Sequence, residues 1–324
     1  MRGGGEYAIK RVLFAIVTVF LAITLNFVIF RAAPGDATTA MRCLGCTPEV
    51  RQQVRVELGL DRSKWDQYTL YLQHLAHGDL GRSFQNRQPV VDQLWTPLLN
   101  TLPMILLGTV FAILLGILTG VVAAWRRGTF ADTASVWTGL AFYSLPTQWL
   151  GLMLILYLSG PLGLPTSGIS DPYLAYLHAG WWPELTDRLA HMVLPSLTLG
   201  LVLYGEYTLI VRSAMLETLG EDYVLTARAK GLSNWQIVRR HAFRNSLLPV
   251  TTLIFLSLGF VTGGAILIEA VFSYPGIGLL TYQAVFSKDY TMLQGAFLVL
   301  TVSVVLMNLI ADLLYFRLDP RIVE

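Results

Sequence analysis

Few residues in this chain of 324 residues have the types and spacing that metal binding requires. Cys43 and Cys46 form a Cys-x2-Cys pair, but structural zinc takes four ligands and no second cysteine pair occurs. His74 and His77 are the nearest other candidate ligands. A local disulfide or two unreacted thiols therefore fit Cys43 and Cys46 better than a metal, and we predict no metal site.

Motifs for nucleotide hydrolysis and for hydrolytic catalysis are missing. The sequence has no GxxxxGK[ST] loop to hold phosphates, no HExxH pair and no GxSxG elbow. The histidines are scattered through the chain, at His74, His77, His178, His191 and His241. We predict that the chain is not an enzyme and does not hydrolyse ATP itself.

Glu206 is an acidic residue within a long apolar segment. An ionisable side chain is costly inside a membrane and is therefore a functional candidate. Glu206 either lines an aqueous pathway or makes a structural hydrogen bond to another helix. Arg212 follows it by six residues, which places the two on different faces of one helix. Each residue would then need a partner on another helix.

Three further polar residues lie in or beside the apolar segments near the C-terminus. Glu269 follows the fifth apolar segment, and Asn308 lies one helical turn before Asp312 on the same face. We treat all three as candidate residues of a translocation pathway. For Asp312 the alternative is an ordinary helix-end residue at the inner membrane interface.

The composition indicates that these residues lie in a membrane protein. Hydrophobic residues make up 54% of the chain and charged residues only 14%. A membrane-spanning helix needs about 20 mainly apolar residues. The sequence predicts an all-α polytopic membrane protein with six transmembrane helices, at about 12–29, 101–125, 134–158, 191–215, 248–268 and 295–315. The first is taken as a retained span rather than a signal peptide.

Charge patterning orients these spans. Basic residues lie before the first span, after the second, throughout 221–245 and after the sixth, so both termini are expected in the cytoplasm. The chain then divides into an N-terminal segment with the first span (1–33), a long extracytoplasmic loop region (34–100) and a core with the other five spans (101–324). Helices are predicted in the loop at 49–60 and 66–75.

The segment 221–245 is a charged island between apolar runs. Its acidic start, basic last turn and Gly231 predict a short helix closed by a left-handed residue. Ser233 followed by Gln236 predicts a capping box that opens a second helix. The simpler alternative is a basic loop that only obeys the positive-inside rule.

The residues from Tyr223 to Val250, YVLTARAKGLSNWQIVRRHAFRNSLLPV, resemble the cytoplasmic signature loop of bacterial ABC-transporter permease subunits. The first Glu-Ala of that family's general motif is absent. The Thr-Ala-Arg-Ala-Lys-Gly at 226–231 instead resembles the dipeptide, oligopeptide and nickel branch. Further similarity lies in Pro-Gly-Asp at 34–36, Gly-Asp-Leu-Gly-Arg-Ser at 78–83 and Asp-Pro-Arg at 319–321.

This resemblance implies a function for the two helices predicted at 221–245, which we call the hairpin. It would be the coupling helix that seats on an ATP-hydrolysing subunit, with small surfaces at Ala227 and Ala229. The candidate ATPase-coupling residues are Tyr223, Thr226, Ala227, Ala229, Lys230 and Gly231. Implied partners are a second permease subunit, two ATP-binding subunits that hold ATP and Mg²⁺, and an extracytoplasmic substrate-binding protein. The implied location is the bacterial cytoplasmic membrane, with no role for nucleic acid.

The implied activity is ATP-driven import of peptides by alternating access, with oligopeptides as the first expectation. Dipeptides, glutathione and nickel chelates are the alternatives within the branch, and the few intramembrane His and Cys residues disfavour a bare metal. An ion-coupled secondary transporter would show inverted repeats and several buried acids, which we do not find. An intramembrane enzyme would need paired catalytic groups, which are also missing.

Overall fold

The computed structural model describes residues 3–32, 61–177, 180–243 and 266–318, together with 47, 49, 52, 55, 56, 246 and 251. Within this part of the chain the structure is helical, apart from one isolated antiparallel bridge between Arg82 and Pro89. The predicted all-α class is confirmed. Outside the described residues lie Cys43, Cys46, most of the predicted helix 49–60 and most of the predicted fifth span.

The helices, numbered in chain order, are α1 (Gly3–Ala32), α2 (Lys64–Ala76), α3 (Val90–Trp125), α4 (Phe130–Ser144), α5 (Thr147–Leu162), α6 (Pro172–Tyr176), α7 (Trp181–Leu219), α8 (Asp222–Ala229), α9 (Asn234–Ile237), α10 (Ile277–Ser287) and α11 (Tyr290–Leu318). Wide turns of the π type occupy Ile155–Ser159 within α5 and Val238–Ala242 directly after α9.

Among the described residues, four helices are long and apolar enough to cross a membrane: α1, α3, α7 and α11. The pair α4 and α5 would make a fifth span if it crosses as one unit. These helices confirm a multi-pass membrane protein. The count of six stays a prediction, because the segment 248–268 is mostly outside the described residues.

The predicted third span, 134–158, is not one continuous helix. α4 and α5 meet at an angle of 105°. Pro146 has no N–H to donate and disfavours helical backbone in the residue before it. Leu145 accordingly adopts extended backbone, with φ −73° and ψ 137°. The proline therefore breaks the span instead of kinking it gently.

The predicted fourth span begins earlier than expected. α7 starts at Trp181 and contains Pro195, which we had placed at the opening of the span. The helix persists through the proline because it packs closely on α3. Next to the proline, the Ser196 hydroxyl donates a hydrogen bond of 2.9 Å to the Met104 carbonyl oxygen.

The helices group into two compact units, one formed by Met1–Thr101 and Pro275–Glu324 and the other by Leu102–Tyr274. In the first unit α11 packs against α1 and α10, around a core that includes Val90, Ile277 and Ala296. In the second unit α7 packs against α4 and α5.

Close backbone approach fixes the contact of α4 with α7 within the second unit. A Cβ atom on Gly205 of α7 would collide with the carbonyl oxygen of Gly139 on α4. Between apolar helices in lipid no hydrophobic force drives association, so dispersion contacts at such small-residue crossings are what stabilise packing. The two glycines therefore determine how near α4 lies to α7.

We predict that Gly205→Ala destabilises the protein, although alanine is the better helix former. Overpacking of this kind costs about 1–3 kcal/mol. Gly160→Ala in α5 is the matched control, because a Cβ atom there meets nothing within 4 Å. Thermal unfolding in detergent should show a lower midpoint for Gly205→Ala only. Equal midpoints would contradict the proposed crossing.

Candidate coupling site

Helix α8 opens the charged segment 221–245. Glu221 precedes the helix with extended backbone, Asp222 lies in its first turn and Arg228 in its last. Acidic residues at the start and basic residues at the end of a helix complement its dipole. The Thr226 hydroxyl donates back to the Asp222 carbonyl oxygen at 3.1 Å. The first helix predicted for the hairpin is thereby confirmed.

A Schellman motif closes α8. Gly231 has φ +78°, and its N–H donates to the Arg228 carbonyl oxygen at 2.9 Å. The N–H of Leu232 donates to the Ala227 carbonyl oxygen at 3.3 Å. These two bonds satisfy carbonyl groups that a helix end otherwise leaves without partners. The predicted left-handed turn at Gly231 is confirmed.

The predicted capping box opens the second helix of the hairpin. The Ser233 N–H donates to Gln236 Oε1 at 3.0 Å, and the Gln236 N–H donates to Ser233 Oγ at 3.4 Å. This reciprocal pair satisfies two N–H groups of a helix start. The hairpin is therefore specified locally at its turn and at both adjoining helix ends.

The interior of the hairpin holds Val224, Ala227 and Ile237. Ala227 is only 5% exposed, so its small side chain serves this internal packing. The sequence predicted Ala227 on a surface that faces a partner. In the structure it lies inside the hairpin instead, because α9 packs against that side of α8. The remaining predicted coupling residues, Tyr223, Thr226, Ala229, Lys230 and Gly231, are exposed.

Two exposed apolar residues beside them escaped the sequence analysis. Leu225 is 55% exposed on α8, one helical turn before Ala229, and Trp235 is 52% exposed on α9. Their amphipathic positions could have been found from the helical period.

The hairpin packs directly on the ends of two long helices. A buried cluster joins Ala124 of α3, Val211 and Met215 of α7, and Val238 and Ala242 of the wide turn after α9. The ring of Trp235 also lies 5.5 Å from that of Trp125, the last residue of α3. Packed side chains therefore join the hairpin to the ends of α3 and α7.

An ion pair ties α7 to α4 a few turns before the hairpin. Arg212 Nε and Nη2 donate to the two carboxylate oxygens of Asp132 at 2.7 and 3.0 Å. The Gly128 N–H also donates to Asp132, at 3.0 Å. Side-chain exposure is 8% for Asp132 and 26% for Arg212.

The expectation that Arg212 finds a partner on another helix is confirmed. Asp132 itself was missed, since no local pattern links it to α7.

The candidate pathway residues lie in different settings. Glu206 is half-buried on α7, and Glu269 is fully buried beside Ile268. Asn308 is half-buried on α11. Asp312 is ion-paired with Arg11 of α1, at 3.2 Å. This partner favours the helix-end interpretation of Asp312, and a pathway role for the other three residues stays a prediction.

The sequence similarity of the chain to known proteins agrees with this geometry. Residues 112–324 match the family described as binding-protein-dependent transport system inner membrane component. Residues 6–105 match the corresponding N-terminal family of transport system membrane components.

Several relatives with named functions match nearly the whole chain. A dipeptide transport system permease protein of Escherichia coli K12 is 39% identical over 331 residues, which is 97% of this chain and 98% of the relative. The dipeptide permease protein of Alkalihalophilus pseudofirmus is 33% identical, with 98% of each chain covered. A glutathione transport system permease protein of Escherichia coli K12 is 34% identical, again with 98% of each covered. The chain therefore belongs to the family of binding-protein-dependent transport system inner membrane components and is a permease subunit of an ABC importer.

Proposed function

We propose that this permease imports short peptides, driven by ATP hydrolysis on two partner subunits that bind ATP and Mg²⁺. A second permease subunit would complete the pathway, and an extracytoplasmic binding protein would deliver the substrate. The single observation that carries the coupling part of the proposal is the hairpin, which is exposed to solvent on one face and packs on α3 and α7 on the other.

Coupling follows from this two-sided arrangement. Closure of the ATPase dimer would displace α8 and α9 together, because Val224, Ala227 and Ile237 lock them to each other. The cluster around Val211 and Met215 would then move the inner ends of α3 and α7. Packed helices switch between discrete arrangements rather than deforming smoothly, so this displacement alternates access to the pathway.

The substrate proposal rests on the relatives. Dipeptide and glutathione permeases are named among chains 33–39% identical to this one, and glutathione is itself a tripeptide. Peptides of two or three residues are therefore the proposed substrates, ahead of the longer oligopeptides that were the first expectation within the branch. Nickel chelates stay an alternative. Uptake of labelled peptides of graded length into a deletion strain would decide between them.

We expect Gly231→Val to weaken ATPase association or to uncouple hydrolysis from uptake. A Cβ atom at this position meets nothing within 4 Å, so the change acts only through the left-handed backbone. That backbone costs a residue with a Cβ about 1 kcal/mol or more. The measurements are ATPase co-purification and peptide-stimulated hydrolysis.

Gly231→Asn is the control for this experiment, because asparagine tolerates left-handed backbone. It should behave like the wild type. If Gly231→Val also keeps normal co-purification, hydrolysis and uptake, the hairpin is only a basic connector and the coupling proposal fails.

Arg212→Gln is predicted to lower stability by about 2 kcal/mol. Breaking a fully buried pair costs about 3–5 kcal/mol, and the partial exposure of Arg212 reduces this value. The exposed Arg126→Gln is the control for loss of one charge. The double variant Asp132→Asn, Arg212→Gln should recover part of the loss, since no unpaired charge remains buried. A single variant as stable as the wild type in thermal unfolding would show that the pair contributes nothing.

Both termini are proposed to be cytoplasmic, which places Cys43 and Cys46 outside. A membrane-impermeant maleimide should label them in intact spheroplasts after mild reduction. The control is Ala229→Cys in a chain with both native cysteines changed to serine, which should label only after lysis. Labelling of Cys43 and Cys46 only after lysis would reverse the proposed orientation.

A further inference from the structure

Two arginines extend from the turn that joins α3 to α4. α3 ends at Trp125, and Arg126 and Arg127 follow it with exposed side chains. The Thr129 hydroxyl donates to the Arg126 carbonyl oxygen at 2.6 Å, and Gly128 turns the chain with φ +78°. The two arginines therefore lie in a hydrogen-bonded turn at the end of a membrane-spanning helix.

The hairpin adds a third arginine beside this turn. The rings of Trp125 and Trp235 lie 5.5 Å apart. Arg239 follows Trp235 by four positions, about one helical turn, and its side chain is exposed. Val238, directly before Arg239, belongs to the buried cluster that contains Ala124 of α3. The contact between α3 and the hairpin is therefore flanked by three exposed arginines, which we call the basic patch: Arg126, Arg127 and Arg239.

The three arginines have no ion-pair partner within the part of the chain that the structure describes. Arg127 attracts Asp132 at longer range, but that carboxylate already accepts hydrogen bonds from Arg212 and from the Gly128 N–H. Glu217 is exposed on α7, but it follows Arg212 by five positions and so lies on another face of that helix. The basic patch therefore has positive charge in excess.

The outer face of α4 next to the patch is apolar and uncovered by the described residues. Phe130 and Trp137, seven positions apart, lie on one face of α4 and are 87% and 67% exposed. The opposite face holds Asp132 and Gly139, which meet α7. A spanning helix with one face on protein and large apolar side chains on the other presents that second face to acyl chains.

Two tryptophans place the patch at the level of the lipid headgroups. Trp125 and Trp235 are 41% and 52% exposed. Tryptophan is enriched at the membrane–water interface, because its ring is apolar and its N–H needs a polar partner. The arginines beside these rings are therefore within reach of headgroup phosphates.

An anionic phospholipid matches this combination of groups. Guanidinium groups bind phosphate oxygens through paired, charge-assisted hydrogen bonds. The cytoplasmic leaflet of a membrane has a negative surface potential, which attracts arginines at its surface. By the orientation proposed above, the hairpin lies on that side of the membrane.

We propose that the basic patch binds the headgroup of an anionic phospholipid, held by Arg126 and Arg127 from the end of α3 and by Arg239 from the hairpin. The bound lipid connects a membrane span to the element that is proposed to contact the ATPase subunit. The membrane is thus a further partner of the hairpin. This site does not depend on which substrate the permease carries.

The test uses the complete permease complex in detergent, titrated with dioleoylphosphatidylglycerol and separately with dioleoylphosphatidylcholine. Native mass spectrometry measures the number of bound lipids and the affinity of the tightest site. Phosphatidylglycerol should bind at least about tenfold more tightly than the zwitterionic lipid, because each arginine near the surface contributes on the order of fivefold. Equal affinities for the two lipids would overturn the proposal.

Arg126→Gln and Arg239→Gln test the two sides of the site. Each should weaken phosphatidylglycerol binding about fivefold, and the double variant roughly 25-fold. The matched control is Arg62→Gln with Lys64→Gln, which removes two exposed basic side chains at the start of α2 and should keep the wild-type affinity. An equal loss in this control would show that only net charge matters, and the proposed site would be wrong.

The single variants also decide whether the lipid bridges α3 and the hairpin. If Arg126→Gln weakens binding and Arg239→Gln does not, the hairpin takes no part and the proposed site is wrong. An acidic surface of the ATPase subunit is the alternative occupant. In that case the double variant would lose ATPase co-purification and keep the wild-type affinity for phosphatidylglycerol, which would also overturn the proposal.

Discussion

Backbone hydrogen bonding is the constraint on which the membrane part of this protein depends. In hydrocarbon no water is available for a free N–H or carbonyl group, so spans must be helical or find partners elsewhere in the protein. Several polar side chains in the long helices also find partners within the protein. Thr198 donates to a carbonyl oxygen in its own helix, and the Thr119 and Thr208 hydroxyls lie 2.7 Å apart between α3 and α7. The guanidinium group of Arg212 forms an ion pair with the carboxylate of Asp132.

The hairpin differs from the membrane spans, because hydrogen bonds between residues close together in the chain determine its geometry. The bonds of Gly231, Leu232 and the Ser233–Gln236 pair all close within a few positions of the chain. A locally specified element does not depend on distant residues for its shape. That property suits the coupling role proposed for the hairpin, and the cluster of Met215 with Val238 joins it to α7.

The loop 79–89, in contrast, depends on a residue that is far away in the chain. Its strained Arg87 is held by hydrogen bonds within the turn and by Asp289, about 200 positions away in the chain: the Ser83 and Phe84 bonds to Asp289 span sequence separations of 206 and 205. The Gly-Asp-Leu-Gly-Arg-Ser motif at 78–83, which resembles the family, and Asp289 are therefore parts of one structural feature. Their separation in the sequence hides this relation.

Apolar run length, charge distribution and capping residues were enough to predict the membrane class, the ends of α8 and the turn at Gly231, because each depends on residues close in the chain. Only the tertiary structure decided where long-range partners lie. It placed Ala227 inside the hairpin, paired Arg212 with Asp132, broke the third span at Pro146 and carried α7 through Pro195. A proline has the same local chemistry at both positions. Whether the helix breaks at the proline or continues through it depends on the tertiary packing around that residue. The sequence next to the proline does not contain this information.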